Sequence, residues 1–315
     1  MDDTSTDDTA AQPVDQGRRE HYGQFYGLHA AEQPDLPLLI VYGNCQAEAT
    51  RILLDSAADQ RWRTVRMPPV HELEAADLPY LRAVLADTTY LVAQPVVDEY
   101  RDLPLGTREI ADLLPEKAVI ARFPSLRWAA LFPTQVIVRV PGVGDPPVVP
   151  HHDLRVLLAA ANGVRPSFDP VHPDGVRAVR DDSAAQLRAR QERHGTVDAA
   201  TILERAGADT GWVINHPHNY VLREVAQAIL AALGLRGVVV DPGRVLLGDL
   251  RAPVYPKTLQ ALGIEGTPRA QWSVRGEQVS EQDIAEEQLR WYAEHPEAVT
   301  LGLQRHAELV RVLRL

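Results

Sequence analysis

The chain has very little cysteine and very little lysine, and it has no long apolar run. In 315 residues there is one cysteine, Cys45, which excludes an internal disulfide framework and a cysteine-cluster zinc site. Only Lys117 and Lys257 are lysine among the 32 basic residues; the rest are arginine. Positive charge is in deficit overall, with a net charge of −11 and a pI of about 5.5. That balance argues against a general nucleic-acid binder or a protein of anionic membrane surfaces. No apolar stretch reaches the roughly 18 residues that a membrane helix needs. The N-terminus, Met1-Asp2-Asp3, offers neither the basic nor the apolar region of a signal peptide. With a single thiol, the expected location is cytoplasmic and reducing.

An apolar fraction of 45% is enough for a substantial core. Residues 1–18, rich in Asp, Thr, Ala, Gln and Pro, read as a disordered acidic tail. The more aromatic "REHYGQFYGLHAAE" that follows is suited to pack on a domain surface. From Leu36 strands and helices alternate. "LPLLIVYG" reads as a fully buried strand and "QAEATRILLDSAAD" as a helix, followed by a short strand in "WRTVRMP". "DLPYLRAVLADT" reads as a helix with Asp77 as N-cap, "TYLVAQPV" as a strand, about 106–114 as a helix and "KAVIARFPS" as a strand. This β/α repeat predicts a parallel sheet with flanking helices in three layers.

Beyond Pro133 the pattern changes. "RVPGVGDPPVVPHHD" is a Pro/Gly loop, Asp153 caps "LRVLLAAANG", and a further helix is expected over about 182–206. "GWVINHPHNYVLREVAQAILAALG" gives a short strand, a His/Pro corner and a long helix. Ser280-x-x-Asp283 forms a capping box ahead of "IAEEQLRWYAEH". The expected organisation is an α/β catalytic domain over 19–240 with a helical insertion at about 134–206. A mainly helical extension over 241–315 follows.

Cys45 lies in the corner Gly43-Asn44-Cys45-Gln46, between strand and helix. Free cysteine is often a buried, inert core residue. Here the thiol sits beyond the carboxyl end of a parallel strand, where such sheets bind ligands, and at a helix N-terminus that favours the thiolate. The spacing Cys45-x5-Arg51 matches a thiol-phosphatase loop, but "QAEAT" has no glycine and places Glu48 where a phosphate would be repelled. Nucleophilic acyl transfer fits the corner better, with helix N–H groups and the Asn44 and Gln46 amides as oxyanion or orienting groups.

Such a thiol needs a base. Of eleven histidines, His21, His29, His71, His172, His194, His295 and His306 occupy polar or helical surface contexts. His151-His152-Asp153 opens a helix, and Asn215-His216-Pro217-His218 follows an apolar strand. Pro217 suits a first helical turn, so His216 is expected on a strand-to-helix corner of the same sheet edge as Cys45. No metal site is expected, because neither HExxH nor a helical His-x3-His spacing occurs. Arg51, Arg122, Arg127 and Arg155 lie near corners or first helical turns, and guanidinium groups suit phosphate.

"YGNCQAEATRIL", "YLVAQPV", "ARFPSLRWAALFPT", "HHDLRVL" and "INHPHNYVLREVAQAIL" together resemble the WcbI-like polysaccharide-biosynthesis acetyltransferases, over about 36–234. Gly43-Asn44-Cys45 also resembles a thiol version of the SGNH-esterase corner. The resemblance implies an SGNH- or flavodoxin-like three-layer fold and a bacterial acyltransferase that uses acyl-coenzyme A. The acceptor it implies is a sugar or amine. Carried over, Cys45 is the nucleophile, His216 the base, and Asn44 and Gln46 oxyanion or orienting groups. Asp153 is the candidate to orient His216. Gly43, Arg51, Arg122, Arg127, Arg155, His152 and Asn215 are the candidates to bind coenzyme A. The Asp-x-x-His of SGNH enzymes is absent here. A thioesterase on the same residues and a non-catalytic coenzyme-A- or sugar-binding module are the alternatives.

Overall fold

The computed structural model describes residues 16–315. Most of the expected acidic tail thus lies outside the described residues, and residues 16–18 open a helix instead. The first elements are α1 (Gln16–His21), β1 (Leu38–Tyr42), α2 (Cys45–Asp55), β2 (Arg63–Thr64), α3 (Leu78–Ala86) and β3 (Thr88–Ala93). Next come α4 (Thr107–Ala111), β4 (Val119–Arg122), β5 (Gln135–Val136), β6 (His152–Asp153), α5 (Leu154–Asn162) and α6 (Pro173–His194). Then follow α7 (Ala200–Arg205), β7 (Gly211–Val213), β8 (His216–Pro217), α8 (Asn219–Ala232), β9 (Leu250–Arg251) and α9 (Pro256–Leu262). The last are β10 (Trp272–Val274), β11 (Glu277–Val279), α10 (Glu281–Glu294), α11 (Pro296–Arg305) and α12 (Ala307–Leu313).

Contacts divide the chain into two compact units. The first comprises residues up to Ser125 together with Ala226–Val240. Its centre is a four-stranded, all-parallel sheet in the order β2-β1-β3-β4. Strand β1, "LLIVY", is buried at every position, as a strand covered on both faces must be. From β1 the chain moves to β2 on one side and returns to β3 on the other, so the carboxyl ends of β1 and β3 flank a topological switch point. Ile40, Leu81, Leu85, Leu91 and Leu105 form the core, and Phe25 and Tyr26 from the aromatic N-terminal stretch are buried with them. Asp77 does stand at the N-cap position of α3, yet its side chain does not cap that helix. It accepts instead from the Glu74 backbone, Tyr26 Oη and Arg18, because it also closes the preceding turn.

The second unit comprises Leu126–Val225 and Asp241–Leu315. Here the structure corrects several expectations. Strand β7 does not extend the parallel sheet; it pairs antiparallel with β8. Glycine makes this tight return feasible, since a Cβ on Gly211 would lie 2.8 Å from the His216 carbonyl oxygen. His216 and Pro217 are therefore strand residues, and the following helix begins at Asn219. The helix expected over about 182–206 starts earlier, at Pro173, where the His172 side chain caps it, and breaks at Gly195 (φ 59°) before α7. Asp153 and Ser280 cap α5 and α10 as expected. A three-stranded antiparallel sheet, β11-β10-β9, accompanies the C-terminal helices. His306, expected on the surface, is half-buried between α11 and α12.

Candidate functional site

In the first unit, Tyr42 ends β1, Gly43 turns the chain, and Cys45 is the first residue of α2. Asn44 is the N-cap: its Oδ1 accepts from the Gln46 backbone N–H at 2.9 Å, which satisfies one of the helix's unpaired donors. Its Nδ2 donates to Ser125 Oγ at 3.2 Å. Gln94, directly after β3, completes the arrangement across the switch point. Its Oε1 accepts from the Asn44 backbone N–H at 2.8 Å and its Nε2 donates to Gln46 Oε1 at 3.1 Å. Gln46 and Gln94 are both fully buried, so these amides orient the corner from beneath, while Cys45 is half-buried. Gly43 leaves the room this requires, since a Cβ there would stand 2.4 Å from Gln94 Oε1. The sequence reading missed Gln94 and Ser125 as parts of the corner. The signal for Gln94 was an amide placed directly between an apolar strand and Pro95.

Residues Cys45 to Arg51 form a continuous helix, which excludes the phosphatase-loop reading. The Arg51 fork is filled by Glu48, at 2.7 and 2.9 Å, and it also reaches Thr64. Arg122 closes β4 beside Ala93 and is half-buried. Among the described residues it makes no side-chain hydrogen bond or ion pair.

In the second unit, Asn215, His216 and His151 come together. His151 Nε2 lies 2.7 Å from Asn215 Oδ1, so this nitrogen carries the proton and Nδ1 is left as a buried acceptor without a hydrogen-bond partner. The His151 and His216 rings meet edge to face at 6.2 Å. Burial pushes the His216 imidazole below its ordinary value, although a Leu247 backbone hydrogen bond and the Asp249 charge oppose this. A neutral ring can accept a proton. Leu247 and Asp249 were not foreseen; no local pattern links "LGDL" to a histidine thirty residues earlier. Asp153 is not brought to His216. Its oxygens accept from the Arg155 backbone and guanidinium and from Thr134 Oγ1. Arg155, buried, also meets Glu281 and Tyr255. It therefore anchors an internal cluster. Arg127 also lies in this unit, and among the described residues it has no acidic partner.

His152 is buried against Tyr292, its Nδ1 2.6 Å from the phenol oxygen. Burial drives His151 and His152 each down to about 4. Between pH 6.5 and about 4 the unfolded chain binds protons that the folded one refuses. Stability is thus fully present above 6.5 and lost as pH falls through this window. Each ring accounts for up to about 3 kcal/mol. Denaturant midpoints measured from pH 7 to 4 should fall steeply for the wild type and less for His152→Phe; equal slopes would refute the assignment.

Among the described residues no group of three or more His, Cys, Asp or Glu side chains is arranged to hold a metal ion. No helix among them is long and apolar enough to cross a membrane.

Fold and corner define an α/β protein with a cysteine at the switch point of a parallel sheet, where such sheets bind ligands. The chain belongs to the family of the polysaccharide biosynthesis enzyme WcbI, which it matches over residues 38–238. It is also similar to a solved structure of WcbI, described as a novel polysaccharide biosynthesis enzyme in its native form without a disulfide bond between coenzyme A and a cysteine of that protein. The two share 18% identity over 89% of this chain and 99% of the other, with a TM-score of 0.74. At that identity the likeness is one of fold. No curated protein matches the chain in sequence.

Proposed function

We propose that the protein is an acyl-coenzyme-A-dependent acyltransferase of polysaccharide biosynthesis, acting on a sugar hydroxyl or an amine. The observation that carries this reading is the position of Cys45, first residue of α2 at the switch point, in a corner held by Asn44, Gln46 and Gln94. The coenzyme A named with the solved WcbI structure supports the choice of donor. In the proposed reaction the Cys45 thiol gives its proton to His216 and the thiolate attacks the thioester carbonyl. The bond from carbonyl carbon to coenzyme-A sulfur breaks, and the departing thiolate takes the proton from His216. The acceptor then gives its proton to His216 and attacks the acyl-cysteine, which frees Cys45. Burial suits His216 to this work, because the ring is neutral at pH 7 and available as a base. Arg122, with no side-chain partner among the described residues, is the first-unit arginine best suited to a coenzyme-A phosphate.

Intact-mass spectrometry after incubation with acetyl-coenzyme A and longer acyl-coenzymes tests the proposal. The expected result is one acyl group on Cys45, absent in Cys45→Ala, and discharged on addition of an acceptor sugar or amine. Discharge to water alone would make the protein a thioesterase. Absence of the adduct, together with an unaltered donor, would leave a binding module.

A further inference from the structure

Among the described residues of the second unit, Arg127 and Arg190 are half-buried and pair with no carboxylate, although the chain carries 43 acidic residues. Other arginines of this unit do have one: Arg155, Arg177, Arg180, Arg188 and Arg311 each pair with a carboxylate. Arg127 and Arg190 do not. Arg127 lies in the segment after β4, where the Trp128 N–H donates to the Ile214 carbonyl at 2.8 Å and the Ala129 N–H to Ser183 Oγ at 3.3 Å. Ser183 is on α6, and Arg190 follows it by two helical turns, on the same side.

Three nitrogens here are buried and without a hydrogen-bond partner: Arg190 Nε, His306 Nε2 and His151 Nδ1. His306 is hydrogen-bonded to the Ile137 backbone, so its ring is held with Nε2 open. Burial and the charge of Arg190 push the Arg127 guanidinium below its usual value, and burial does the same to Arg190. The charge of Arg127 in turn depresses His151 and His306. Among the described residues no carboxylate opposes this at either arginine. An arginine does not escape burial by losing its proton, so these two like charges want an anion.

We propose that Arg127 and Arg190, together with His306, form a binding site for a phosphoryl group. A phosphate dianion carries the two charges that neutralise both guanidinium groups, and it has a third oxygen for the histidine; a carboxylate has neither. The site stands on this placement and on the unpartnered nitrogens, and does not depend on acyl transfer. Its natural occupant is a phosphate of coenzyme A or of a phosphorylated sugar, which present the same chemistry.

The test compares the full-length wild type with Arg190→Gln and Arg127→Gln, at constant ionic strength set with chloride. Inorganic phosphate should raise the wild-type melting midpoint saturably, as expected for a ligand of the folded state, and the shift should vanish in both variants. Without phosphate, Arg190→Gln should melt at the wild-type temperature or a few degrees above it, because a like charge has been removed. A lower midpoint would make Arg190 a structural cation and overturn the proposal, as would a phosphate shift that survives both substitutions. Calorimetric titration then separates the sources. Tenfold weaker binding of coenzyme A to Arg190→Gln supports the carrier as occupant, and the same loss with a hexose 1-phosphate supports a sugar phosphate. Loss with neither overturns the site. Phosphate binding without any acyl adduct would refute the proposed function and leave the anion site intact.

Discussion

Replacing Cys45 by alanine is expected to lower acyl transfer from acetyl-coenzyme A by a factor on the order of a thousand or more, because the covalent route is lost entirely. His216→Ala should cost a comparable factor, since an unassisted thiol is only a few per cent ionised near pH 7. The double variant is the informative one. If the two side chains serve one step, it will be about as slow as the worse single variant, and far from the product of the two losses. Multiplicative losses would mean that the residues act separately. His151→Ala is the companion measurement: a larger loss there than in His216→Ala would transfer the role of base to the neighbouring ring. Neutral His151 is held by Asn215, so its removal should instead act through His216, with a modest effect.

The second large effect concerns folding. Arg155 is buried, with its guanidinium bonded to Asp153 at 2.7–2.9 Å and close to Glu281 and Tyr255. Burial presses the Glu281 carboxyl upward, and the hydrogen bond from Tyr255 and the charge of Arg155 hold it back. Arg155→Ala leaves two poorly solvated carboxylates without their cation, a loss of about 3–5 kcal/mol. A fall in melting midpoint on the order of 10 °C follows. Circular-dichroism melts check this directly. A midpoint within about 1 °C of wild type, combined with weakened coenzyme-A binding, would show that Arg155 serves the ligand and not the fold.

Parts of this architecture were legible in the amino-acid sequence for definite reasons. The run "LLIVY" could only be a strand buried on both faces, and Asn44 ahead of helix formers announced the turn that holds Cys45. Asp153 and Gly163 marked both ends of α5. Other parts were not legible. Three apolar residues, "WVI", declare a strand but not its sheet, and β7 turned back on His216. Helix α6 is mainly polar, with buried positions only at Gly175, Val176, Val179, Ala184 and Leu187, so its first turns carry little pattern. The arginines divide in the same way. Glu48, three residues before Arg51 on one helix, is a partner that helix spacing implies, although the sequence reading makes Arg51 a candidate for coenzyme A. Glu281, 126 residues from Arg155, was visible only once the chain had folded. The anchoring of His216 by Leu247 and Asp249 depends on a loop whose course no local signal fixed.

The three side chains that shape the Cys45 turn, Asn44, Gln46 and Gln94, are all carboxamides, and the fourth member of the arrangement, Ser125, is an alcohol. None of them gains or loses a proton anywhere in the range where proteins survive. The scaffold around the thiol is therefore electrically silent: acid or alkali leaves its bonds, and so its form, as they were. Any acidity dependence in the chemistry must arise from the sulfur itself, from the imidazoles, or from the substrates.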